Sequence, residues 1–259
     1  MIKIPGTEVF RAHDAEGDIV VYDSTEIRIL AFDSPVEQSA LAKSRPWRLH
    51  YPYTQAMMLG ALFTPRLRRA AVLGLGGGSL VRALRHGWPT LHITAVERRA
   101  AVATVARDWF MIEPDPHLDI DIDDAQGWLE RDPPGQDLIF ADLYDHTGMD
   151  AVQIETRFLA RCAACLADGG VLVANMWTST SEAARQHREA MEAVFGERVL
   201  RVSVQGGNNV VLAFRDPLPK PRPKDFMQAA QRLGLTLDIP LQRHARRLWV
   251  ENTRRLQSG

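Results

Sequence analysis

The sequence has only two cysteines among its 259 residues, so it lacks the disulfide framework that small secreted domains require. Cys162 and Cys165 stand in a stretch of small residues that predicts a helix, and this context favours burial of both thiols over a redox pair. No second pair of cysteines or histidines has the spacing of a zinc site, and we therefore predict no metal. A chain of this length can build a large core without either kind of staple.

An excess of one charge and a long apolar run are also lacking. The formal net charge is −1 and the arginines are spread along the chain, so we predict neither a nucleic acid nor a membrane as a partner. No apolar run reaches the roughly 18 residues of a membrane span. Residues 1–17 lack the basic start and apolar centre of a signal peptide, and we expect a cytoplasmic location.

What the sequence does have is a regular alternation of strand and helix patterns. Apolar strand patterns cover residues 70–75, 92–96, 118–122, 138–141 and 171–175, and a helical pattern follows each one. Repeated βα units predict a parallel sheet with helices on both faces. Two last strand patterns flank a turn at 205–208 that is too short for a crossover helix. We therefore predict an α/β protein with a Rossmann-like methyltransferase fold: a mostly parallel seven-stranded sheet with an antiparallel final strand.

The segments on either side of this pattern predict three parts. Residues 1–50 form a small N-terminal antiparallel β region, because short alternating strand patterns lie between residues 9 and 32. Residues 51–216 form the Rossmann-like domain. Residues 217–259 form a proline-rich linker and a C-terminal helical tail, which is either packed with a solvated basic face or a basic interaction helix.

A glycine-rich turn follows the first strand of the parallel sheet. Gly74, Gly76, Gly77 and Gly78 lie between this strand and the next helix, where backbone must turn sharply and let a ligand approach. A dinucleotide-binding fingerprint requires a glycine at position 79, but the residue is Ser79. The pattern favours an adenosyl group over a pyrophosphate, although a glycine turn also serves simple strand-to-helix packing.

Acidic residues follow the next three strands. Glu97 lies 21 positions after Gly76, where a carboxylate accepts both ribose hydroxyls. Asp124 either accepts from the adenine amino group or caps the next helix. Asp142 and Asp145 follow the fourth strand. Because the carboxyl ends of parallel strands share one sheet edge, these groups predict a single nucleotide crevice.

These segments together resemble the spermidine synthase family of aminopropyltransferases, over roughly residues 26–215. The matching segments are 32–39, 72–78, 95–97, 124–125, 142–145 and 207–212. The resemblance implies decarboxylated S-adenosylmethionine as donor, a small-molecule amine as acceptor and a homodimer. It further implies that the glycine loop, Glu97, Asp124 and Ala125 hold the donor and that Gln38 lines the pocket.

The resemblance also implies how the acceptor is handled. Asp142, the first acid of an Asp-x-x-Asp pair, acts on the amine, while Asp145 and Tyr144 hold the far end of a cationic acceptor. Tyr51, Tyr53 and Trp177 are predicted to add aromatic walls that favour cations. For Trp177, packing in the core is the alternative.

The sequence departs from the family at three places. The family's Gly-Gly-Gly-Asp-Gly-Gly loop is one residue shorter here, and Ser79 replaces the acid that faces the donor ammonium. The run that gates the amine pocket is replaced by residues 50–55, and Asp-Ser-Ser-Asp-Pro becomes Asp-Leu-Tyr-Asp-His at 142–146. Three hypotheses remain: an aminopropyltransferase, a methyltransferase or aminocarboxypropyl transferase that uses intact S-adenosylmethionine with an unknown acceptor, and a noncatalytic nucleotide-binding relative.

Overall fold

The computed structural model describes residues 4–32, 37–145, 148–177 and 181–257, and only the backbone of Asp145. Residues 33–36 of the first family-like segment lie outside this part of the chain.

The described chain alternates strands and helices in the predicted order. The strands are β1 (Thr7–Asp14), β2 (Gly17–Asp23), β3 (Ile27–Ala31), β4 (Glu37–Ala42), β5 (Arg69–Leu73), β6 (His92–Glu97), β7 (Leu118–Ile122), β8 (Gln136–Ala141), β9 (Tyr144–Asp145), β10 (Gly148–Met149), β11 (Leu166–Met176), β12 (Val199–Ser203) and β13 (Asn209–Phe214). The α-helices are α1 (Pro52–Met57), α2 (Ser79–Gly87), α3 (Ala100–Trp109), α4 (Ala125–Glu130), α5 (Thr156–Cys165), α6 (Ser181–Phe195), α7 (Pro223–Leu237), α8 (Leu241–Glu251) and α9 (Thr253–Gln257). Two 3₁₀ helices cover Met58–Leu62 and Ala151–Ile154.

The main sheet has seven strands in the order β12-β13-β11-β8-β5-β6-β7. Neighbouring strands from β11 to β7 pair in parallel, whereas β13 pairs antiparallel with both β11 and β12. The short turn between β12 and β13 imposes this reversal, since a parallel connection needs a crossover of a dozen residues or more. The predicted fold class is confirmed.

The two faces of the main sheet bury separate apolar cores. Alternate side chains of a strand point to opposite faces, so Val72 packs on one side while Ala71 and Leu73 pack on the other. Helices α1, α2, α7 and α8 cover the first face, and α4, α5 and α6 cover the second. Both cysteines of α5 are reduced and buried in the second core, which confirms the packing interpretation.

The N-terminal region is a four-stranded antiparallel sheet in the order β1-β2-β3-β4. Its apolar face packs on α3, where Val102 and Val105 contact Ile19, Val21 and Leu30 of the sheet. This contact fixes β4 beside the glycine turn of the main sheet. The sequence prediction missed β4, because Glu37–Ala42 has no β-branched or aromatic residue and its strand form depends on pairing with β3.

Two predicted helices are shorter than expected. The helical pattern over residues 153–167 predicts a single helix, and this prediction is wrong, since Glu155 adopts an extended conformation (ψ 127°) that separates a 3₁₀ helix from α5. The helix that begins after Tyr51 continues as a 3₁₀ helix from Met58.

The C-terminal tail packs on the main sheet through its apolar stripe. Leu241, Ala245 and Leu248 of α8 are buried in the first core, and the Asn252 side chain bonds the backbone of Arg201 on β12. This packing favours the solvated-face interpretation of the tail arginines. The division of the chain at residues 50 and 216 stays a prediction. Within the described ranges, no helix has the length and apolarity that a membrane crossing requires.

Candidate active site

Backbone hydrogen bonds hold the tips of four neighbouring strands together beyond the strands themselves. The N–H of Gly74, after β5, donates to Val96 of β6 at 2.9 Å, and the N–H of Asp142, after β8, donates to Leu73 of β5 at 3.0 Å. The N–H of Asp123, after β7, bonds in the same way to β6. The residues that follow these strands therefore share one edge of the sheet.

A cavity of about 630 Å³ opens at this edge. This volume is typical of small-molecule sites. Most of the predicted site residues line it: Gln38, Tyr51, Tyr53, Gly74, Gly76, Glu97, Asp124, Ala125, Asp142, Tyr144 and Trp177. The side chain of Asp145 lies outside the described part of the molecule, and its predicted role stays a prediction.

Gly74 shows why the turn after β5 needs glycine. Its φ is +92°, and a Cβ at this position would collide with the backbone oxygen of Asp142. Only glycine therefore allows the tips of β5 and β8 to approach this closely. Gly76, with φ +50°, continues the same wall of the cavity.

The remaining residues of the glycine turn lie behind the cavity wall. The N–H of Gly77 donates to Ser39 Oγ at 2.9 Å. Gly78, the N-cap of α2, lies against the side chain of Ile112. Ser79 Oγ donates to the Ala40 oxygen at 3.3 Å and borders a small adjoining hollow. The neutral Ser79, in place of the family's acid, is expected to tolerate the carboxylate of intact S-adenosylmethionine, and this stays a prediction.

Arg82 of α2 bonds the backbone of the glycine turn on the side away from the cavity. Sequence reasoning missed this residue. The guanidinium is buried and donates to the backbone oxygens of Pro46 (2.8 Å), Phe110 (2.7 Å) and Gly77. Burial lowers its pKa to about 9, so it is still charged at neutral pH. A helical arginine usually lies on a solvated face, so the sequence carries no signal for this anchor.

Glu97 ends β6 with its carboxylate turned toward the glycine turn. Oε2 accepts from the N–H groups of Leu75 and Gly76, each at 3.2 Å, and Oε1 accepts from the N–H of Arg99 at 3.0 Å. Burial raises the pKa of the carboxyl, and these donors oppose the shift. Glu97 thus shapes the turn and lines the cavity at the position where a ribose is expected.

Asp124 serves as the N-cap of α4. Its Oδ1 accepts from the N–H of Gly127 at 2.8 Å, which confirms the helix-cap interpretation. The residue also lines the cavity beside Ala125, so an adenine contact through the other oxygen stays a prediction.

Asp142 is the carboxylate with the most distinctive environment. It is half-buried, and burial raises its pKa to about 6. The Asn175 amide donates to Oδ1 at 2.9 Å, and the Tyr53 hydroxyl donates to Oδ2 at 3.4 Å. Both hydrogen bonds favour the ionised form and partly oppose the effect of burial.

Asn175 and Asn208 were missed by the sequence prediction. Asn175 lies near the end of β11 and is 1% exposed, while Asn208 lies in the β12–β13 turn and lines the cavity. Asn208 Nδ2 donates to Asn175 Oδ1 at 2.9 Å. The strand-end rule that identified Asp142 applies equally to Asn175 and would have found it.

Tyr144 and Trp177 form the outer wall of this half of the cavity. The Tyr144 hydroxyl donates to the Asn175 backbone oxygen at 3.2 Å and accepts from the Trp177 N–H at 2.9 Å. Trp177 is 41% exposed, so its alternative placement in the core is wrong. An exposed indole at a cavity wall is a surface on which a cation can rest.

Tyr51 and Tyr53 stack in parallel with ring centroids 6.0 Å apart. The Tyr51 hydroxyl donates to Glu37 Oε2 at 2.8 Å, while Tyr53 reaches Asp142. Glu37 and Gln38 belong to β4, which brings the N-terminal sheet to the cavity. Sequence reasoning assigned no role to Glu37, which begins the strand that was missed.

Carboxylates dominate the described wall of the cavity. The two cationic side chains in it are Arg98 and Arg99, whereas the acids are Glu16, Glu37, Glu97, Asp123, Asp124, Asp142 and Asp150. Arg98 is paired with Glu16 (2.7 Å) and Asp150 (2.9 Å), and Arg99 is paired with Asp14. The wall therefore favours a positively charged ligand. Among the described side chains, no group of three or more acids, histidines or cysteines is placed to hold a metal ion.

Comparison with known proteins gives relatives of two kinds. No model of a known protein family matches the sequence. The polyamine aminopropyltransferase of Vibrio vulnificus is 29% identical over 243 residues, which are 91% of this chain and 78% of the relative. A probable spermidine synthase from Corynebacterium glutamicum superposes with a TM-score of 0.74 at 20% identity, covering 88% of both chains. Human methyltransferase-like protein 13, solved in complex with SAH, superposes with a TM-score of 0.62 at 22% identity, covering 73% of this chain and 90% of that one.

The sheet order and the crevice at the strand tips place the chain in the class of Rossmann-like proteins with a methyltransferase fold. Within this class the chain is similar to the polyamine aminopropyltransferases, and the resemblance found in its motifs is confirmed.

Proposed function

We propose that this chain is a transferase that moves an aminopropyl group from decarboxylated S-adenosylmethionine to a small amine. The observation that carries the proposal is Asp142, a carboxylate with a pKa near 6 in the same acid-lined cavity as Glu97. The relatives named polyamine aminopropyltransferase support the same reaction class. We also propose, on the family resemblance, a cytoplasmic homodimer.

The reaction is a direct displacement at carbon. The lone pair of the acceptor nitrogen forms the new C–N bond, and the C–S bond breaks with its electron pair going to sulfur. The sulfonium becomes the neutral thioether methylthioadenosine, and the new ammonium loses one proton. The protein must align the two reactants and provide an acceptor for this proton.

Asp142 fits the role of proton acceptor. With a pKa of about 6, about nine tenths of the carboxyl is ionised at pH 7. Its charge also stabilises the positive charge that develops on the acceptor nitrogen. Tyr53 donates to one carboxylate oxygen and Asn175 donates to the other, so the carboxylate is oriented before the substrate arrives.

The donor is proposed to lie across the glycine turn. Gly74 and Gly76 leave room for the backbone to approach the adenosyl group, and Glu97 faces the ribose. The carboxylates of the wall favour the sulfonium and the free ammonium of a decarboxylated donor.

A second candidate is a transferase that uses intact S-adenosylmethionine. One observation favours it: residues 74–79 carry no acidic side chain to repel the carboxylate of the intact donor. Calorimetry with S-adenosylmethionine, its decarboxylated form, methylthioadenosine and SAH separates the two candidates.

Turnover then tests the reaction itself. The protein is supplied with the decarboxylated donor and a panel of diamines and polyamines, and methylthioadenosine release is measured. We expect tighter binding of the decarboxylated donor than of the intact one and amine-dependent thioether release. Preference for the intact donor would favour the second candidate, and nucleotide binding without turnover on either donor would favour a noncatalytic relative.

A further inference from the structure

Two asparagine side chains connect the β12–β13 turn to Asp142. Asn208 Nδ2 donates to Asn175 Oδ1 at 2.9 Å, and Asn175 Nδ2 donates to Asp142 Oδ1 at 2.9 Å. We infer that Asn208 is a positioning residue: it fixes the orientation of the Asn175 amide so that a hydrogen-bond donor always faces Asp142. The catalytic consequence rests on the proposed function, whereas the geometry does not.

An asparagine amide can turn over and exchange its oxygen and nitrogen. Asn175 is 1% exposed, so water does not decide between its two orientations. The donor from Asn208 requires an oxygen on its side of the amide, which leaves the NH₂ group for Asp142. If Asn175 alone turned over, two NH₂ groups would face each other and its amide oxygen would face the carboxylate. If Asn208 turned over with it, the Asn175 oxygen would still face the carboxylate, so the observed arrangement is the one that satisfies all three groups.

The orientation of Asn175 controls how readily Asp142 ionises. A donor facing the carboxylate favours the ionised form, while an oxygen facing it favours the protonated form. Among the side chains that the structure describes, the other titratable groups that face Asp142 are Tyr53 on α1 and Tyr144 on β9. The pKa of each phenol is raised by burial and by the charge of Asp142, so both stay protonated where Asp142 titrates.

Three variants test this relay of hydrogen bonds from Asn208 through Asn175 to Asp142. Asn208→Asp keeps the side-chain shape but removes the donor, so Asn175 must turn its NH₂ toward position 208 and its oxygen toward Asp142. Asn208→Ala removes the donor without adding charge. Asn209→Asp adds the same charge one residue further along, on an exposed side chain.

The readout is the pKa of Asp142, followed by carbon NMR of labelled aspartate carboxyls, with Asp142→Asn to assign the signal. Compared with the unmodified protein, we expect a rise of about one unit for Asn208→Asp and about half a unit for Asn208→Ala. For Asn209→Asp we expect less than about 0.3 units, because solvent and salt screen an exposed charge. If turnover is present, the acidic limb of kcat/KM should shift by the same amounts.

An unchanged Asp142 pKa in Asn208→Ala, with equal effects of the two aspartate variants, would overturn the inference. The NMR titration needs no substrate. These pKa shifts without aminopropyl transfer would support the role of Asn208 and contradict the proposed function. Aminopropyl transfer without the shifts would support the proposed function and contradict the role of Asn208.

Discussion

The two halves of the cavity are built in different ways. The donor half, proposed to bind the donor nucleotide and formed by Gly74, Gly76, Glu97 and Asp124, is held by backbone: its carboxylates accept from N–H groups of the turn and of α4. The acceptor half, proposed to hold the amine, is centred on side chains bonded to one another: Asp142 accepts from Tyr53 and Asn175, and Asn175 accepts from Asn208. Tyr144 joins it through the backbone oxygen of Asn175.

This difference indicates that the donor half determines the shape of the cavity, whereas the acceptor half determines the chemistry of the reaction. A carboxylate that accepts from backbone N–H groups stabilises a turn, and its oxygens are less free to accept a proton from a substrate. Asp142 is held by neutral side chains and its pKa is raised to about 6, and carboxylates with such shifts are common at catalytic sites. Changes in the donor half should therefore affect binding and stability, and changes in the acceptor half should affect turnover.

The largest expected effect is the loss of the acceptor-half carboxylate. Asp142→Asn should lower kcat by about 10²- to 10⁴-fold, because a positioned proton acceptor contributes that much. The dissociation constant of the donor nucleotide, measured by calorimetry, should stay nearly unchanged. Asp119→Asn on the exposed part of β7 is the matched control. Equal turnover in the two variants would remove Asp142 from the mechanism.

In the donor half, Glu97→Gln should weaken nucleotide binding by about tenfold or more, because hydrogen bonds to a charged group contribute about 1.5–3 kcal/mol. It should also lower the free energy of unfolding, since one buried acceptor that serves the N–H groups of the turn is lost. Calorimetry and denaturant unfolding measure the two effects. Glu130→Gln, at an exposed ion pair with Arg157, serves as the control. An unaltered dissociation constant would place the ribose elsewhere.

The acidic limb of the turnover profile should report Asp142 in the acceptor half. The pKa of Asp142 is raised to about 6, so kcat/KM should fall as pH drops through 6 and the carboxylate takes up its proton. Tyr53→Phe removes a donor to the ionised form and should move this limb upward by a few tenths of a unit. Tyr51→Phe, which loses a bond to Glu37 instead, should not move it. Identical pH profiles for the two variants would contradict the distinction between these stacked rings.

The smallest effect is expected at Asp124. Asp124→Ala should lower the free energy of unfolding by about 1 kcal/mol through loss of the helix cap, and Asp124→Asn, which still caps, should lower it much less. Urea titrations of the two variants measure the difference. If both variants unfold like the original protein, the cap does not stabilise α4.

Much of the fold was predictable because strand and helix periods are local signals. The five strand patterns and the reversed last strand followed from apolar spacing and from a turn too short for a crossover. β4 was not predictable, because Glu37–Ala42 is a strand only through pairing with β3. The break at Glu155 depends on a single extended residue within a helical pattern.

The candidate site was predictable in part for the same reason. Strand ends point to Glu97 and Asp142, because parallel strands share an edge. The buried anchor Arg82 and the partner Asn208 depend on contacts between distant elements, which no local pattern records. Ser79 shows the converse: its place in the motif indicated the cavity, but the helix start turns its hydroxyl toward β4.

The most direct test of the two-half account is a crystal structure with methylthioadenosine bound. We expect the ribose hydroxyls at Glu97, the adenine beside Asp124 and Ala125, and the thioether sulfur facing the Asp142 side of the cavity. A nucleotide bound outside this cavity, or with its sulfur directed away from Asp142, would contradict the account.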